Sequence, residues 1–250
     1  MTDQLSLHLD PGLPRLPVSL RPMLARLAGA PFDSAEHLFE PAWGGERALA
    51  FVEPDPESPP GRSPGVRLLD RRGRDIAPLA PEIAALPARL AARSAVVDGE
   101  LVAVDRRGRC DRPALAARLA GTTGPALVYL VFDLLYLDGR PLLGLPLERR
   151  RELLRHTLRS GETIVALPAI EADGLALHAA AVAQGLVGIV ARHRRSPYLP
   201  GVRSRLWRFV PAAAPGRSQE PGDWPEEAED GPSASAPVLA LIERLPFPDE

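Results

Sequence analysis

The sequence predicts an α+β fold in which most of the sheet strands run antiparallel. Several segments rich in Val, Leu and Tyr lie between Gly, Pro or Asp residues, which is typical of strands. These segments outnumber the stretches with helical periodicity. Strands and helices also fail to alternate along the chain, as a doubly wound parallel sheet would require.

Five segments have the composition of strands: Arg47–Val52, Val66–Leu69, Ala95–Val104, Ala126–Leu137 and Leu186–Arg192. Between the first two, Pro54–Pro64 is rich in Pro, Ser and Glu and is predicted to be a loop. The pentapeptide Asp-Arg-Arg-Gly-Arg follows a predicted strand twice, at Asp70–Arg74 and at Asp105–Arg109. Because its glycine suits a left-handed turn position, we interpret both copies as hairpin turns.

Three segments have the periodicity of helices: Pro81–Ala92, Leu147–Leu158 and Gly174–Gln184. The second has one apolar face, formed by Leu147, Leu153, Leu154 and Leu158. Arg149–Arg151 are predicted to lie mainly off that face. In the third helix, Asp173 is the expected N-cap and Gly185 the expected stop.

The composition excludes several classes of protein. The chain has 250 residues, of which 45% are hydrophobic and 25% charged, and a formal net charge of −2, which is typical of globular domains. The sequence contains neither an apolar run of ~18 residues nor a signal-like N-terminus, so we expect a cytoplasmic protein. Cys110 is the sole cysteine and the histidines lack ligand spacing, so no metal site is predicted.

All 30 basic residues are arginine, because the sequence contains no lysine. Any mechanism that uses a lysine nucleophile or a lysine Schiff base is therefore excluded.

The chain is predicted to divide into three parts: an N-terminal extension (residues 1–20), a folded domain (21–210) and an acidic tail (211–250). The tail holds nine acidic residues, two arginines and eight prolines. Such a segment buries too little apolar surface to offset the entropy of ordering it, so we predict that it is disordered.

Seven segments, in this order, resemble the motifs of one family. They are Pro22–Ala25, Phe39–Arg47, Asp70–Gly73, Asp98–Ala103, Val131–Gly139, Leu186–Arg192 and Ser196–Trp207. Together they resemble the adenylation domain of ATP-dependent DNA ligases, of the bacterial end-joining type. The resemblance implies the two-sheet antiparallel nucleotidyltransferase fold of DNA ligases and capping enzymes, which is related to ATP-grasp. After Pro211 the sequence shows no sign of the OB-fold domain that follows in the family's ligases.

The departures from the family pattern bear on the chemistry. In the family, a lysine attacks the α-phosphate of ATP, and Ala42 occupies that lysine's position. The other departures are Gly44 for an aspartate, Val187 for a metal-side glutamate, Arg192 for a lysine, and Phe209 and Pro211 for two terminal lysines. We therefore predict that no catalytic residue is present and that the covalent step is blocked. The loss of a carboxylate at Val187 also argues against bound Mg²⁺.

The resemblance implies a remaining nucleotide site. Glu40 would read the adenine amino group, Phe132 would stack on the base, Glu100 would meet the ribose or a metal, and Arg47 would lie on the phosphate side. ATP or AMP is the candidate ligand. The alternative for these positions is ordinary structure: a core aromatic ring, solvated acids and a hairpin charge.

Four arginines, Arg71, Arg192, Arg203 and Arg205, are candidates for binding DNA or phosphate. The alternative is that they form a solvated basic face.

Three interpretations of function stay open. The first is a ligase-like pseudoenzyme of DNA repair and recombination, a monomer whose candidate partners are DNA and a DNA-repair protein. The second, which family membership alone suggests, is an active ATP-dependent ligase that seals nicks. The third is a decaying gene product without a binding role. Fold alone does not decide among them.

Overall fold

The computed structural model describes residues 16–53, 65–105 and 109–212. Most of the predicted N-terminal extension, the predicted loop Pro54–Pro64, the tip of the second Asp-Arg-Arg-Gly-Arg turn and nearly all of the acidic tail lie outside the described residues.

Eleven strands are found in the described ranges. They are β1 (Leu24–Leu27), β2 (Ser34–Ala42), β3 (Glu46–Glu53), β4 (Gly65–Asp70), β5 (Ala95–Ala103), β6 (Leu127–Leu137), β7 (Arg140–Pro141), β8 (Ile164–Ala166), β9 (Ile170–Ala172), β10 (Gly188–His193) and β11 (Arg203–Pro211). The helices are α1 (Leu86–Arg89), α2 (Arg112–Leu119), α3 (Leu147–Thr157) and α4 (Gly174–Ala183).

The strands form two sheets. The first has the order β1-β11-β10-β2-β9 and the second has the order β4-β3-β5-β6-β7, with β8 added alongside β6. Within the described ranges, only the β1–β11 and β6–β8 pairs are parallel. The predicted α+β class with two mostly antiparallel sheets is confirmed.

The apolar core lies in two layers, one on each face of the second sheet. Along β3, Leu49 and Phe51 belong to a cluster that also includes residues of the first sheet. Ala48, Ala50 and Val52 alternate with them and pack into a second cluster, on the opposite face. A sheet buried on both faces explains the continuous apolar runs at 48–52 in β3 and 127–132 in β6.

The five predicted strands and two of the three predicted helices are present with nearly the predicted bounds. The predicted helix Pro81–Ala92 is wrong in its extent: a 3₁₀ turn at Pro81–Ala85 is followed by the four-residue α1. Pro87 explains the break, because proline lacks the N–H donor of a helix interior and its ring clashes with the preceding turn. Asp173 is the N-cap residue of α4 as predicted, but its side chain makes no capping hydrogen bond.

In both copies of the pentapeptide, the backbone N–H of the last arginine donates to the side chain of the first aspartate. At Asp70–Arg74, the backbone N–H groups of Arg72 and Arg74 each donate to Asp70 Oδ1 over 2.9 Å. Gly73 has φ +80°, the left-handed conformation that the turn requires. In the second copy, the Arg109 N–H donates to Asp105 Oδ1 over 2.9 Å.

Across the described residues, no helix is long and apolar enough to cross a membrane.

Candidate functional site

The nucleotide-site residues named from the sequence meet between the two sheets, in a buried region that is called the cleft below. Glu40 lies on β2 of the first sheet, next to β10, which carries Arg192. Arg47 and Glu100 are paired residues of β3 and β5 in the second sheet, and Phe132 lies on β6. The two sheets therefore bring together side chains that are far apart in the sequence.

Ala42, at the lysine position, lies at the end of β2 and is 2% exposed. It pairs with Gly188 of β10, which in turn pairs with Pro211 of β11. Paired residues of neighbouring strands project to the same face of a sheet. Ala42 and Pro211, the two positions that the motif resemblance assigns to family lysines, therefore fall in a single cross-strand row.

Gly44 and Val187, which the motif resemblance assigns to two family carboxylates, lie against each other. A Cβ atom on Gly44 would be 2.9 Å from Val187 Cγ1, and Gly44 has φ +74°. Neither side chain offers an oxygen ligand, and no cluster of three His, Cys, Asp or Glu residues suited to a metal is found among the described residues. The residues at these positions do not fit a magnesium ion, which prefers oxygen ligands.

Glu40 is 1% exposed, and both of its carboxylate oxygens accept hydrogen bonds from arginines. Arg151 donates to Oε1 and Arg192 donates to Oε2. Arg151 also donates to the carbonyl oxygens of Phe132 (2.9 Å) and Leu167 (2.5 Å). Burial lowers the pKa of the Arg151 and Arg192 guanidinium groups. Each oxygen of the Glu40 carboxylate thus has an arginine partner within the chain.

Phe132 is 2% exposed, so its ring presents almost no open face. The guanidinium carbon of Arg192 lies 4.1 Å from the ring centroid, and that of Arg47 lies 4.7 Å from it. Both guanidinium groups also contact the ring of Trp207. Cations at these distances are attracted to the aromatic ring.

Arg47 is held by Asp98 through two hydrogen bonds, Nε to Oδ1 (2.7 Å) and Nη2 to Oδ2 (2.6 Å). The Tyr198 hydroxyl donates to the same Oδ2 over 2.7 Å and accepts from the Met23 N–H over 3.0 Å. Burial lowers the pKa of the Arg47 guanidinium, but the Asp98 carboxylate raises it by a larger amount. The net shift is therefore upward. This network ties the segment before β1 to the second sheet.

Glu100 closes the turn that follows β2. Its Oε1 accepts the Gly45 N–H over 2.5 Å, and burial raises the pKa of the carboxyl. A Cβ atom on Gly45 would lie 2.3 Å from the Leu101 carbonyl oxygen, so this turn depends on glycine. Glu100 holds the backbone of the motif that carries Ala42.

The prediction for the arginines of α3 is wrong for two of the three residues. Arg150 and Arg151 are buried, although the helical pattern placed Arg149–Arg151 mainly off the packing face. Arg150 is 0% exposed and donates from Nε and Nη2 to the buried Asp133 over 2.8 and 2.7 Å. Buried guanidinium groups need carboxylate or carbonyl acceptors. Apolar periodicity does not show where such acceptors lie.

The four arginines named as DNA-binding candidates do not share one environment. Arg192 is 3% exposed and belongs to the cleft, beside the nucleotide-site candidates. Arg71 is half-buried, in the turn after β4, where its charge acts on Glu46. On β11, Arg205 is exposed, whereas Arg203 is half-buried and donates to the Ala25 carbonyl over 2.9 Å.

Sequence reasoning assigned no role to Arg151, Asp98, Tyr198 or Trp207. Asp98, Tyr198 and Trp207 lie within the segments that resemble the family's motifs, so the sequence indicated their segments but not their contacts. No sequence signal marked Arg151, because its acceptors come from three separate segments of the chain.

Comparison with known proteins decides the family. Residues 22–208 match the family model described as ATP dependent DNA ligase domain. The chain belongs to the ATP-dependent DNA ligase family. This ligase-family domain is of the bacterial end-joining type: it is 35% identical over 192 residues to the multifunctional non-homologous end joining protein LigD of Mycobacterium bovis. That match covers 76% of the chain and 23% of LigD. The ligase-family domain thus spans about a quarter of the length of that relative.

A second relative, a probable DNA ligase of Kineococcus radiotolerans, is 35% identical over 148 residues, which cover 57% of the chain and 29% of that protein. Among solved structures, mycobacterial DNA ligase D complexed with ATP and MES aligns with a TM-score of 0.63 and 31% identity. The alignment covers 77% of the present chain and 60% of the DNA ligase D chain. The nucleotidyltransferase fold implied by the sequence motifs is confirmed.

Proposed function

We propose that this ligase-family domain does not form an enzyme-adenylate and instead serves end-joining DNA repair by binding DNA or a repair partner. The observation that carries the proposal is that the chain has no lysine, and the motif resemblance places Ala42 where the family has its nucleophilic lysine.

The covalent step needs an uncharged amine that can attack the α-phosphate of ATP. Ala42 offers a methyl group, and no amine of another lysine exists to replace it. The nearby arginines are poor substitutes, because a guanidinium stays protonated and has no free lone pair for attack. The contact between Gly44 and Val187 supports the further proposal that Mg²⁺ is not bound at this position.

DNA is the partner that the remaining surface chemistry favours. Arg205 is exposed and Arg71 is half-buried, and arginine binds phosphate through a planar pair of N–H donors. The LigD relatives are named as end-joining proteins. The proposal therefore places Arg71, Arg203 and Arg205 in a DNA-facing set and Glu40, Arg47, Glu100 and Phe132 in a weak adenine site.

The test uses the full chain, a nicked duplex labelled at the nick, ATP and Mg²⁺, with sealing and DNA retention followed in one reaction. We expect retarded DNA and no sealed product. Arg205→Ala should weaken DNA binding and reduce its salt dependence, since one phosphate contact is lost. Arg155→Ala, which removes an exposed arginine from α3, is the matched control.

Two results would overturn parts of the proposal. Sealed product would favour an active ligase. DNA that stays unbound at low salt would remove nucleic acid from the proposed function.

A further inference from the structure

One planar group contacts a carboxylate and two aromatic rings in the cleft. The Arg192 guanidinium donates N–H to Glu40 and lies over the rings of Phe132 and Trp207. A nucleobase with an amino group satisfies this chemistry, because it donates to a carboxylate and stacks on an aromatic face. A guanidinium satisfies it as well, since it is planar, donates N–H and stacks on aromatic rings.

Arg192 makes both of these contacts within the chain. It donates to Glu40 Oε2, and its guanidinium carbon lies 4.1 Å from the Phe132 ring centroid and 4.8 Å from that of Trp207. Glu40 is 1% and Phe132 is 2% exposed, so neither group is open to a base in this structure.

Among the described residues, the Arg192 side chain has fewer hydrogen-bond acceptors than Arg47 or Arg151. Arg47 has two hydrogen bonds to Asp98, and Arg151 has three hydrogen-bond acceptors. Arg192 donates only to Glu40 within the part of the chain that the structure describes, and its buried Nε has no partner there. A buried donor left without a partner is costly, so displacement of the Arg192 guanidinium would relieve that cost.

The pairing of charges in the cleft also indicates that Arg192 is the arginine that can be displaced. Arg151 and Arg192 share one carboxylate, that of Glu40. Arg47 and Arg150 each have a carboxylate of their own, on Asp98 and Asp133. Removal of Arg192 would leave Glu40 paired with Arg151 and would free Oε2 as an acceptor, without leaving a buried charge unpaired.

We propose that Arg192 is a built-in plug of the base-binding cleft: it occupies the place of a purine base, and a nucleoside binds only after the guanidinium is displaced. This inference deepens the proposed weak adenine site, on which it rests. It does not depend on whether the chain forms an adenylate.

The test measures adenosine binding to the full chain by calorimetry. Adenosine has no phosphate and cannot form an adduct, so this result is separate from that of any adenylation test. We expect Arg192→Ala to bind adenosine at least about tenfold more tightly than the wild type, in line with the gain from one base–aromatic stacking contact. Adding Phe132→Ala to Arg192→Ala should remove the gain.

Arg195→Ala is the matched control, because it removes an exposed arginine from the same segment and leaves the cleft intact. It should bind adenosine as the wild type does. If Arg192→Ala fails to fold, Arg192→Lys replaces it: the lysine keeps a positive charge near Glu40 but lacks the flat group that covers Phe132, so a smaller gain is expected. Wild-type affinity equal to that of a folded Arg192 variant would overturn the proposal, as would a gain that survives Phe132→Ala.

Discussion

Gly44 and Val187 are in contact range: a Cβ atom added to the glycine would lie 2.9 Å from Val187 Cγ1. The motif resemblance assigns both positions to carboxylates of the ligase family. On the proposed assignment, the departure extends beyond the missing lysine to these two neighbouring groups.

This contact leads to the first prediction. Ala42→Lys alone should not restore nick sealing, because Gly44, Val187, Phe209 and Pro211 would keep their substitutions and catalytic groups that act as a unit are not additive. The measurement is the conversion of a nicked duplex to sealed product, compared with the wild-type background. Circular dichroism of the variant checks that it is folded. Robust sealing by this single variant would contradict the account.

The buried Arg150–Asp133 pair leads to a prediction about stability. Arg150→Ala would leave the Asp133 carboxylate buried without its partner, at a cost of about 3–5 kcal/mol of unfolding free energy. Arg149→Ala removes the neighbouring exposed arginine of the same helix and should change stability by less than about 0.5 kcal/mol. Urea unfolding of both variants checks this. Equal losses would show that the buried pair has no special role.

His37 leads to a prediction about pH. Burial, and then the charges of Arg208 and His193, lower the pKa of His37 to about 4, from 6.5 in an unfolded chain. Between these values the unfolded state binds the extra proton, so the His37 contribution to stability is complete above pH 6.5 and is lost as the pH falls toward 4.

We expect His37 to account for about 1–2 kcal/mol of lost stability between pH 7 and pH 5. His37→Gln should show a correspondingly smaller decline with acidification. His156→Gln, at an exposed site on α3, should follow the wild type. Parallel wild-type and His37→Gln curves from urea unfolding at each pH would refute this assignment.

Much of the fold could be predicted from the sequence, because apolar runs and turn residues mark strands locally. β6 and the turn at Gly73 are examples, since their signals lie within the segments themselves. The helix at Arg112–Leu119 was missed, although Asp111 caps it by accepting the Ala114 N–H over 2.9 Å. The shortened helix at Pro81–Ala92 shows that Pro87 outweighed apolar periodicity.

The candidate site could be predicted only as a set of segments. The motifs located Glu40 and Phe132, but not the state of their side chains. Arg151 and Arg192 reach Glu40 across 111 and 152 residues of sequence, and only the folded chain shows that they do. A run of arginines in a helix gives no sign of which members are buried, because that depends on acceptors from other elements.

The central claim is that this ligase-family domain cannot hold AMP covalently. The direct measurement is incubation of the full chain with α-labelled ATP and Mg²⁺, followed by denaturing electrophoresis, with an active ligase of the family as positive control. The account predicts no labelled band at 26.9 kDa, because Ala42 has no amine and the chain has no lysine. A stable labelled band at that mass would contradict it.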